Sequence, residues 1–235
     1  MKTTMALKPL AFALAALMAV AAQAGQPHHG GGGGPQPAPT TAAATTTDGQ
    51  SNHSNVVIND KTKNNASAND SYNHISGVAN GNVLSGDNNQ GKNDVAIVNG
   101  DADFVFASTG TAQSNTGNFV LNSGTKNNSS LNDSGNNSSG VIQLNAASGT
   151  SNQASNSVAI ASGNGDGGAA SAVGVQDVSG NLTLNLSSGH GWSAKSVVNN
   201  ASVNNSMNFS SGVSNSNVLS GSNNQGQNNV AITRF

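Results

Sequence analysis

Cysteine is absent from all 235 residues, so the disulfides that staple many exported domains with weak cores are excluded. Charged residues make up 8% of the chain, against roughly a quarter in ordinary soluble domains. Aromatics are 3%, with one Trp and one Tyr, and much of the 34% hydrophobic content is Ala or falls in the first 24 residues. A conventional core of Leu and Phe is therefore not expected. The net charge of -2 leaves no basic patch for nucleic acid and no polybasic or amphipathic stretch for a membrane surface. It also leaves little colloidal repulsion, so self-association is either the hazard or the purpose.

Long apolar runs are scarce too. The longest, Pro9 to Ala22, follows Lys2 and Lys8 and closes on Ala22-Gln23-Ala24. It is shorter than the about 20 residues that span a bilayer. It reads as a Sec signal peptide over 1–24, cleaved before Gly25, which predicts export, and the lack of a following Cys excludes lipoprotein anchoring. Residues 25–51 are rich in Gly, Pro, Ala and Thr and are expected to form a disordered tail. His28-His29 could bind Cu or Ni weakly, but a flexible tail with two incidental histidines is the favoured reading.

What the chain has is asparagine: 38 residues, none before position 52. This composition break marks a boundary, with 52–63 as a lead-in. Shifting the chain by 135 residues aligns 64–97 with 199–232 at 24 of 34 identities, and a third copy at 127–160 shares 19 of 34 with each. Three imperfect 34-residue repeats result, separated by linkers at 98–126 and 161–198 and followed by 233–235.

Positions common to the copies show what the repeat requires. In the first arm Asn65, Ser67, Asn69, Ser71 and Asn73 recur as Asn128, Ser130, Asn132, Ser134 and Asn136, and as Asn200, Ser202, Asn204, Ser206 and Asn208. A period of two predicts a strand with one constant polar face. In the closing segment Asn89, Gln90 and Asn93 recur as Asn152, Gln153 and Asn156, and as Asn224, Gln225 and Asn228. If copies stack in register, each amide sits about 4.8 Å from its twin and can hydrogen-bond to it. These residues are the candidate assembly ladder. Gly77, Gly86, Gly140, Gly149, Gly212 and Gly221 follow Ser at two points in every copy and are candidate corners, since Gly accepts positive φ. Each copy ends in Val-Ala-Ile, suited to a packed strand. The expected fold is all-β: each repeat a layer of about three strands, the layers stacked as a β-solenoid or Greek-key-like cross-β wafer. FVFA at 104–107 and LTLNL at 182–186 read as additional strands within the linkers.

The third repeat carries no charged side chain and ends three residues before Phe235, so no cap is visible there, and an open edge templates further pairing. The first repeat carries Asp70, Asp87 and Asp94, expected to act as gatekeepers against premature assembly.

The N-x-S-x-N-x-S-x-N arm, the SG-x-x-NQ-x-x-N-x-VAI tract, the unequal linkers and the signal peptide together resemble the Fap fibrillins, functional amyloid subunits of pseudomonad biofilm fimbriae. The resemblance covers about residues 52–235. It implies an extracellular cross-β fibril on the cell surface, export through the periplasm and a dedicated outer-membrane pore, and partners limited to further copies and related fibrillin subunits. Its implied role is surface attachment and biofilm matrix. Main subunits of that family often carry a Cys-x-Cys near the C-terminus, which this chain lacks. Curli subunits share a Q-x-G-x-x-N flavour, but their repeat is shorter and Gln90-Gly91 fits it poorly.

Other chemistry has thin support. Outside the tail only His53, His74 and His190 remain, and His74 is replaced by Asn137 and Phe209 in the other copies, so no catalytic, metal or cofactor site is expected. SGNGDGG at 162–168 resembles a calcium-binding β-roll loop but occurs once, whereas such sites need tandem copies. The terminal Phe235 suits the last strand of an outer-membrane barrel, but one Trp and one Tyr cannot build its aromatic girdles; no membrane insertion is expected. Tyr72, Phe209, Trp192 and Phe104-Val105-Phe106 are expected to pack within layers or linkers. The alternative to a fibril subunit is a discrete monomeric β-solenoid adhesin binding a glycan or host ligand. Such a protein should repeat an exposed aromatic or Thr array, and this chain repeats Asn and Ser instead.

Overall fold

A computed structural model describes residues 39–189 and 194–235. The expected signal peptide, the tail up to residue 38 with His28 and His29, and His190 and Trp192 lie outside the described residues.

The chain winds three times through the same five-strand path. The first pass is β1 Thr41–His53, β2 Val56–Asp60, β3 Lys63–Asn69, β4 Ser76–Ser85 and β5 Gln90–Gly100. The second is β6 Phe104–Thr116, β7 Phe119–Ser123, β8 Lys126–Asn132, β9 Ser139–Thr150 and β10 Gln153–Gly163. The third is β11 Gly167–Ser179, β12 Leu182–Leu186, β13 Val198–Asn204, β14 Ser211–Ser222 and β15 Gln225–Arg234. Equivalent strands pair in parallel, producing five three-stranded sheets with the second pass always in the middle. The register offset between the first two passes is 63 residues at every sheet, as in Asn59↔Asn122 and Asn93↔Asn156. From β13 onward the offset to the second pass is 72. The extra residues lie between β12 and β13, where Ser188 and Lys195 form an antiparallel bridge.

A layer is thus five strands, not three. The stretches expected to be linkers hold β6, β7, β11 and β12, of which FVFA and LTLNL were the legible parts. The stretch expected to be a tail up to residue 51 enters β1 at Thr41. Its Ala and Thr residues alternate between half-buried and exposed along the whole strand, and Ala42 and Ala44 pack on the cluster of Ala96, Val98, Val105 and Ala107. Small side chains suit this site because sheets that fold back so closely leave little depth to fill.

The β5 sheet lies between two neighbouring sheets. One face meets β4, where Asn93 Nδ2 donates to Asn82 Oδ1 at 3.0 Å. The other meets the β1-β6-β11 sheet, where Thr111 Oγ1 of the second layer donates to Asp94 Oδ2 of the first at 2.6 Å. This doubling back is the Greek-key-like feature of the wafer. A second apolar cluster, Ala68, Ala79, Leu131, Ile142, Leu144 and Ala146, fills the space between the β3 and β4 sheets.

The arm before β4 departs from the period-two reading. The strand stops at Asn69, and the chain then turns through an arc in which alternate residues are left-handed: Asp70, Tyr72 and His74 at φ 48°, 59° and 58°. The equivalents Asp133, Gly135 and Asn137, and Asn205, Met207 and Phe209, behave alike. Alternation of backbone sign therefore continues the period of two after the strand has ended. Tyr72 turns inward onto the β3/β4 cluster, and Val105 and Phe106 are buried, but Phe209 at the tip of the arc is 90% exposed, contrary to expectation. Its equivalents His74 and Asn137 are exposed as well. All six corner glycines have positive φ, from 97° to 118°.

The variable positions explain themselves as pairs. A Cβ on Gly81 would lie 2.5 Å from the Tyr72 hydroxyl, so Tyr in the first layer requires Gly opposite. The second layer places Gly135 against Leu144, and the third pairs Met207 with Ser216 at the same positions. Likewise Leu84 covers Gly91 and Leu219 covers Gly226, while the second layer uses Ala147 and Ala154. Volume is conserved inside each layer. Gly81→Leu should therefore destabilise the fold by about 1–3 kcal/mol through overpacking. Adding Tyr72→Gly, which recreates the second-layer pairing, should recover most of that loss in chemical denaturation.

Candidate assembly interface

A layer of Asn and Ser can be buried only if its polar groups find partners, because an unpaired buried amide costs about 1–3 kcal/mol. In the middle layer Asn122, Asn145, Asn156, Gln113 and Gln153 are all at most 1% exposed. Each finds its twin above and below. Asn156 Nδ2 donates to Asn93 Oδ1 at 3.0 Å, and Asn228 Nδ2 donates to Asn156 Oδ1 at 2.9 Å. Gln90, Gln153 and Gln225 meet amide to amide at 3.0 and 3.2 Å. The 89/152/224 column works differently. Its side chains accept from the neighbouring backbone, Asn152 N to Asn89 Oδ1 at 3.0 Å and Asn224 N to Asn152 Oδ1 at 3.2 Å, while their Nδ2 groups donate to carbonyls of the corner.

The first-arm residues divide into three kinds. Asn65, Asn128 and Asn200 form one column at 2.8 and 2.7 Å, and Asn69, Asn132 and Asn204 another at 2.7 and 2.8 Å. Both columns stand on the outer surface, because β3 turns Asn64, Ala66 and Ala68 inward. Ser67, Ser130 and Ser202 make no bond from layer to layer; Ser130 and Ser202 accept from Asn132 and Asn204 of their own strands. Ser71, Ser134 and Ser206, with Asn73, Asn136 and Asn208, belong to the arc. There Ser134 Oγ accepts from Ser71 N at 3.2 Å, and Asn73 Oδ1 accepts from Asn136 N at 2.7 Å. Side chains of one layer thus supply the hydrogen bonds that the curved backbone of the next cannot find in a regular ladder.

Several columns lie outside the residues singled out from the repeats. Asn64, Asn127 and Asn199 bond at 2.9 and 2.8 Å on the inward face of β3. Asn82, Asn145 and Asn217 interleave with the 93/156/228 column, each pair bridged at about 3 Å, forming a double amide column between β4 and β5. Gln50, Gln113 and Gln176 bond at 2.8 Å on both sides, and Asn59, Asn122 and Asn185 at 3.1 and 2.9 Å, within the supposed tail, lead-in and linkers. The signal was present: carrying the 63-residue offset beyond the repeat boundaries finds the 50/113/176 and 59/122/185 triplets, and 64/127/199 and 82/145/217 are constant positions of the repeat itself.

The corner glycines record how closely layers approach. A Cβ on Gly140 would lie 2.1 Å from Gly77 O, and one on Gly212 would lie 2.2 Å from Gly140 O. On Gly77 itself it would meet nothing within 4 Å, because among the described residues no layer precedes the first.

The three acids differ. Asp70 and Asp87 are exposed. Asp94 is 3% exposed and ion-paired, with Lys92 Nζ at 2.9 Å from Asp94 Oδ1 and 2.6 Å from Asp48 Oδ2. Burial works to lower the Lys92 pKa, but hydrogen bonds and attraction from Asp48 and Asp94 outweigh it and hold the ammonium above its ordinary value. Buried beside the ammonium that it shares with Asp48, Asp94 presents less charge to an incoming layer than the exposed Asp70 and Asp87 do. The same sites in the other layers are neutral, Ser155 with Ser157 and Gln227 with Asn229.

A profile of the functional amyloid protein FapB/FapC family matches residues 43–234. The chain belongs to that family. The match runs from within β1 to the end of β15, so it takes in the strands between the repeats as well as the repeats. Among curated proteins the chain is similar to the functional amyloid subunit FapC of Pseudomonas aeruginosa, 41% identical over 192 residues. That alignment covers 79% of this chain and 56% of the relative, so the chain spans just over half the relative's length. No solved structure matches.

Substitutions in the amide columns and at the ion pair test the roles of these residues in this FapB/FapC family member. Asn156→Ala strips partners from Asn93, Asn145, Asn217 and Asn228 and should cost about 3 kcal/mol, whereas Asn128→Ala on the outer column should cost less than about 1 kcal/mol, both read by denaturant midpoint. Lys92→Met should destabilise by about 3 kcal/mol because Asp94 is left charged and unpaired. The double change Lys92→Gln with Asp94→Asn, the third layer's own pair, should be tolerated. Because the folded pKa of Lys92 is raised, its contribution is complete below the ordinary lysine pKa and is lost as pH climbs through the raised value. The deficit of Lys92→Met relative to the parent should accordingly shrink only at strongly alkaline pH.

Proposed function

We propose that the chain is a secreted structural subunit that polymerises by laying the first layer of one copy on the third layer of another, building extracellular amyloid fibrils that support surface adhesion and biofilm. The observation that carries this reading is that identical residues pair in register through all three layers, while the outer edges of the first and third remain unpaired among the described residues. Asn200, Asn204, Asn217 and Asn228 would then meet Asn65, Asn69, Asn82 and Asn93, and the Gly212 carbonyl would fill the space open beside Gly77. Each contact repeats one already made within the chain. The ladder residues act as the rungs of growth and the six corner glycines permit the close approach.

On this reading the partners are further copies and related fibrillin subunits, reached after export through the periplasm and an outer-membrane pore. Asp70 and Asp87 are the principal gatekeepers, because they stand exposed on the layer that receives the next copy. Asn205 already donates to Asp133, the second-layer equivalent of Asp70, so a third layer in register would offer Asp70 the same amide, and the carboxylate restrains copies that arrive out of register.

The purified chain should form thioflavin-positive fibrils with a meridional reflection near about 4.8 Å. A protein that stays monomeric and unfolds cooperatively would overturn the proposal in favour of the adhesin. Asp70→Asn with Asp87→Asn should shorten the lag at neutral pH, with Asp94→Asn giving no such acceleration.

A further inference from the structure

The sheet β2-β7-β12 has two unlike faces. Inward it carries Val120 and Asn122, at 0% and 1% exposure. Outward the register stacks Val56, Phe119 and Leu182 in one row and Ile58, Leu121 and Leu184 in the next. Val56 and Ile58 are 71% and 68% exposed, and Leu182 and Leu184 are 53% and 41% exposed. No packing inside the wafer calls for these side chains. Contiguous apolar surface rimmed by polar groups marks an interaction site.

The rim is basic. At the ends of these strands the chain turns a corner that gathers Lys61, Lys63, Lys126 and Lys195, four of the six basic side chains after residue 38. Lys63 and Lys126 are register partners, one directly over the other. Lys195 packs in the third layer against Gly124, its Cβ 3.4 Å from where a Gly124 Cβ would stand, and Gly124 follows Ser123 as Lys61 follows Asp60. Only Lys61 has an acid within reach, Asp60 at 4.0 Å. A column of like charges beside an apolar face is unfavourable unless something anionic covers it. A second copy laid on this face brings the same four lysines with Asp60 as the acid among them, so it is a poor match for the charge.

We propose that this face docks on an anionic bilayer surface, with the two apolar rows at the headgroup–acyl boundary and the lysines on lipid phosphates. An apolar face together with a polybasic patch is the two-signal arrangement that gives stable interfacial binding, and Lys stems can lie along apolar surface while their ammonium groups reach the headgroups. The sequence hides this site because its lysines are spread from position 61 to position 195 and only the stacking of layers brings them together.

Flotation of the purified chain with phosphatidylglycerol and with phosphatidylcholine vesicles tests the proposal. The chain should float with the anionic vesicles and not with the zwitterionic ones. Lys63→Gln, Lys126→Gln and Lys195→Gln combined should weaken partitioning on the order of a hundredfold, since each basic residue near an anionic leaflet contributes about fivefold. Ile58→Asn with Leu184→Asn should also release the chain, and both variants should keep the β circular dichroism of the parent. Equal binding to both lipids, or flotation unchanged by either variant, would overturn the proposal. So would an apolar-face variant that abolishes side-by-side association of chains while leaving flotation intact, because the face would then be a chain–chain contact.

Discussion

The structure depends on a carboxamide meeting its own kind one layer away. A buried Asn offers two donors and an acceptor, and in a parallel in-register stack its twin presents the complementary atoms at the strand spacing of about 4.8 Å. This turns the usual liability of buried amides into a device for fixing register. Sliding a strand by one residue would move every inward side chain to the other face and leave columns such as 93/156/228 without partners. Apolar contacts cannot discriminate registers so sharply. In this chain they are small and local, two clusters built largely from Ala, Val, Leu and Ile.

The same geometry explains the shortage of charge. Stacking sets like over like, and two unit charges about 4.8 Å apart repel by about 0.9 kcal/mol even in bulk water. Where the chain does carry charge, the layers answer it. Lys92 sits between Asp48 and Asp94 inside the first layer, and the equivalents of Lys92 and Asp94 in the other layers are uncharged. Asp133 is met by Asn205 rather than by a third acid. Like charges do stack at the surface, Asp70 over Asp133 and Lys63 over Lys126, and the lysine pair lies at the corner where the apolar face is also unsatisfied.

Much of this was legible in the sequence, and what escaped did so for identifiable reasons. Repetition exposed the three strands of each 34-residue unit and their corner glycines. It did not expose β1, β6 and β11, where only Ala44, Ala107 and Ala170 and the Gln50, Gln113 and Gln176 column are identical in all three layers, with Thr46, Ser51 and Asn52 matched in the second layer alone. Parallel pairing there needs only backbone and compatible volume, so drift was tolerated. Period two correctly placed Asn65, Ser67 and Asn69 on one face, but a period does not say which face is buried. Nor does it separate a strand from an arc whose backbone alternates in sign, which is why Ser71 and Asn73 looked like a continuation of β3. The ion pair that encloses Asp94 involves Asp48, from a stretch whose composition concealed a strand.

Constancy and variation in the repeat answer to different neighbours. The constant amides and glycines face along the stack, toward the adjacent layer, whereas Tyr72 with Gly81, or Leu84 with Gly91, compensate one another within a single layer. A layer can therefore change its internal packing without changing what it offers above and below. Because the amide contacts between layers are residues meeting their twins, the three layers present matching surfaces to one another despite their different interiors. The apolar pairs make each layer individual, and the amide columns keep the layers interchangeable.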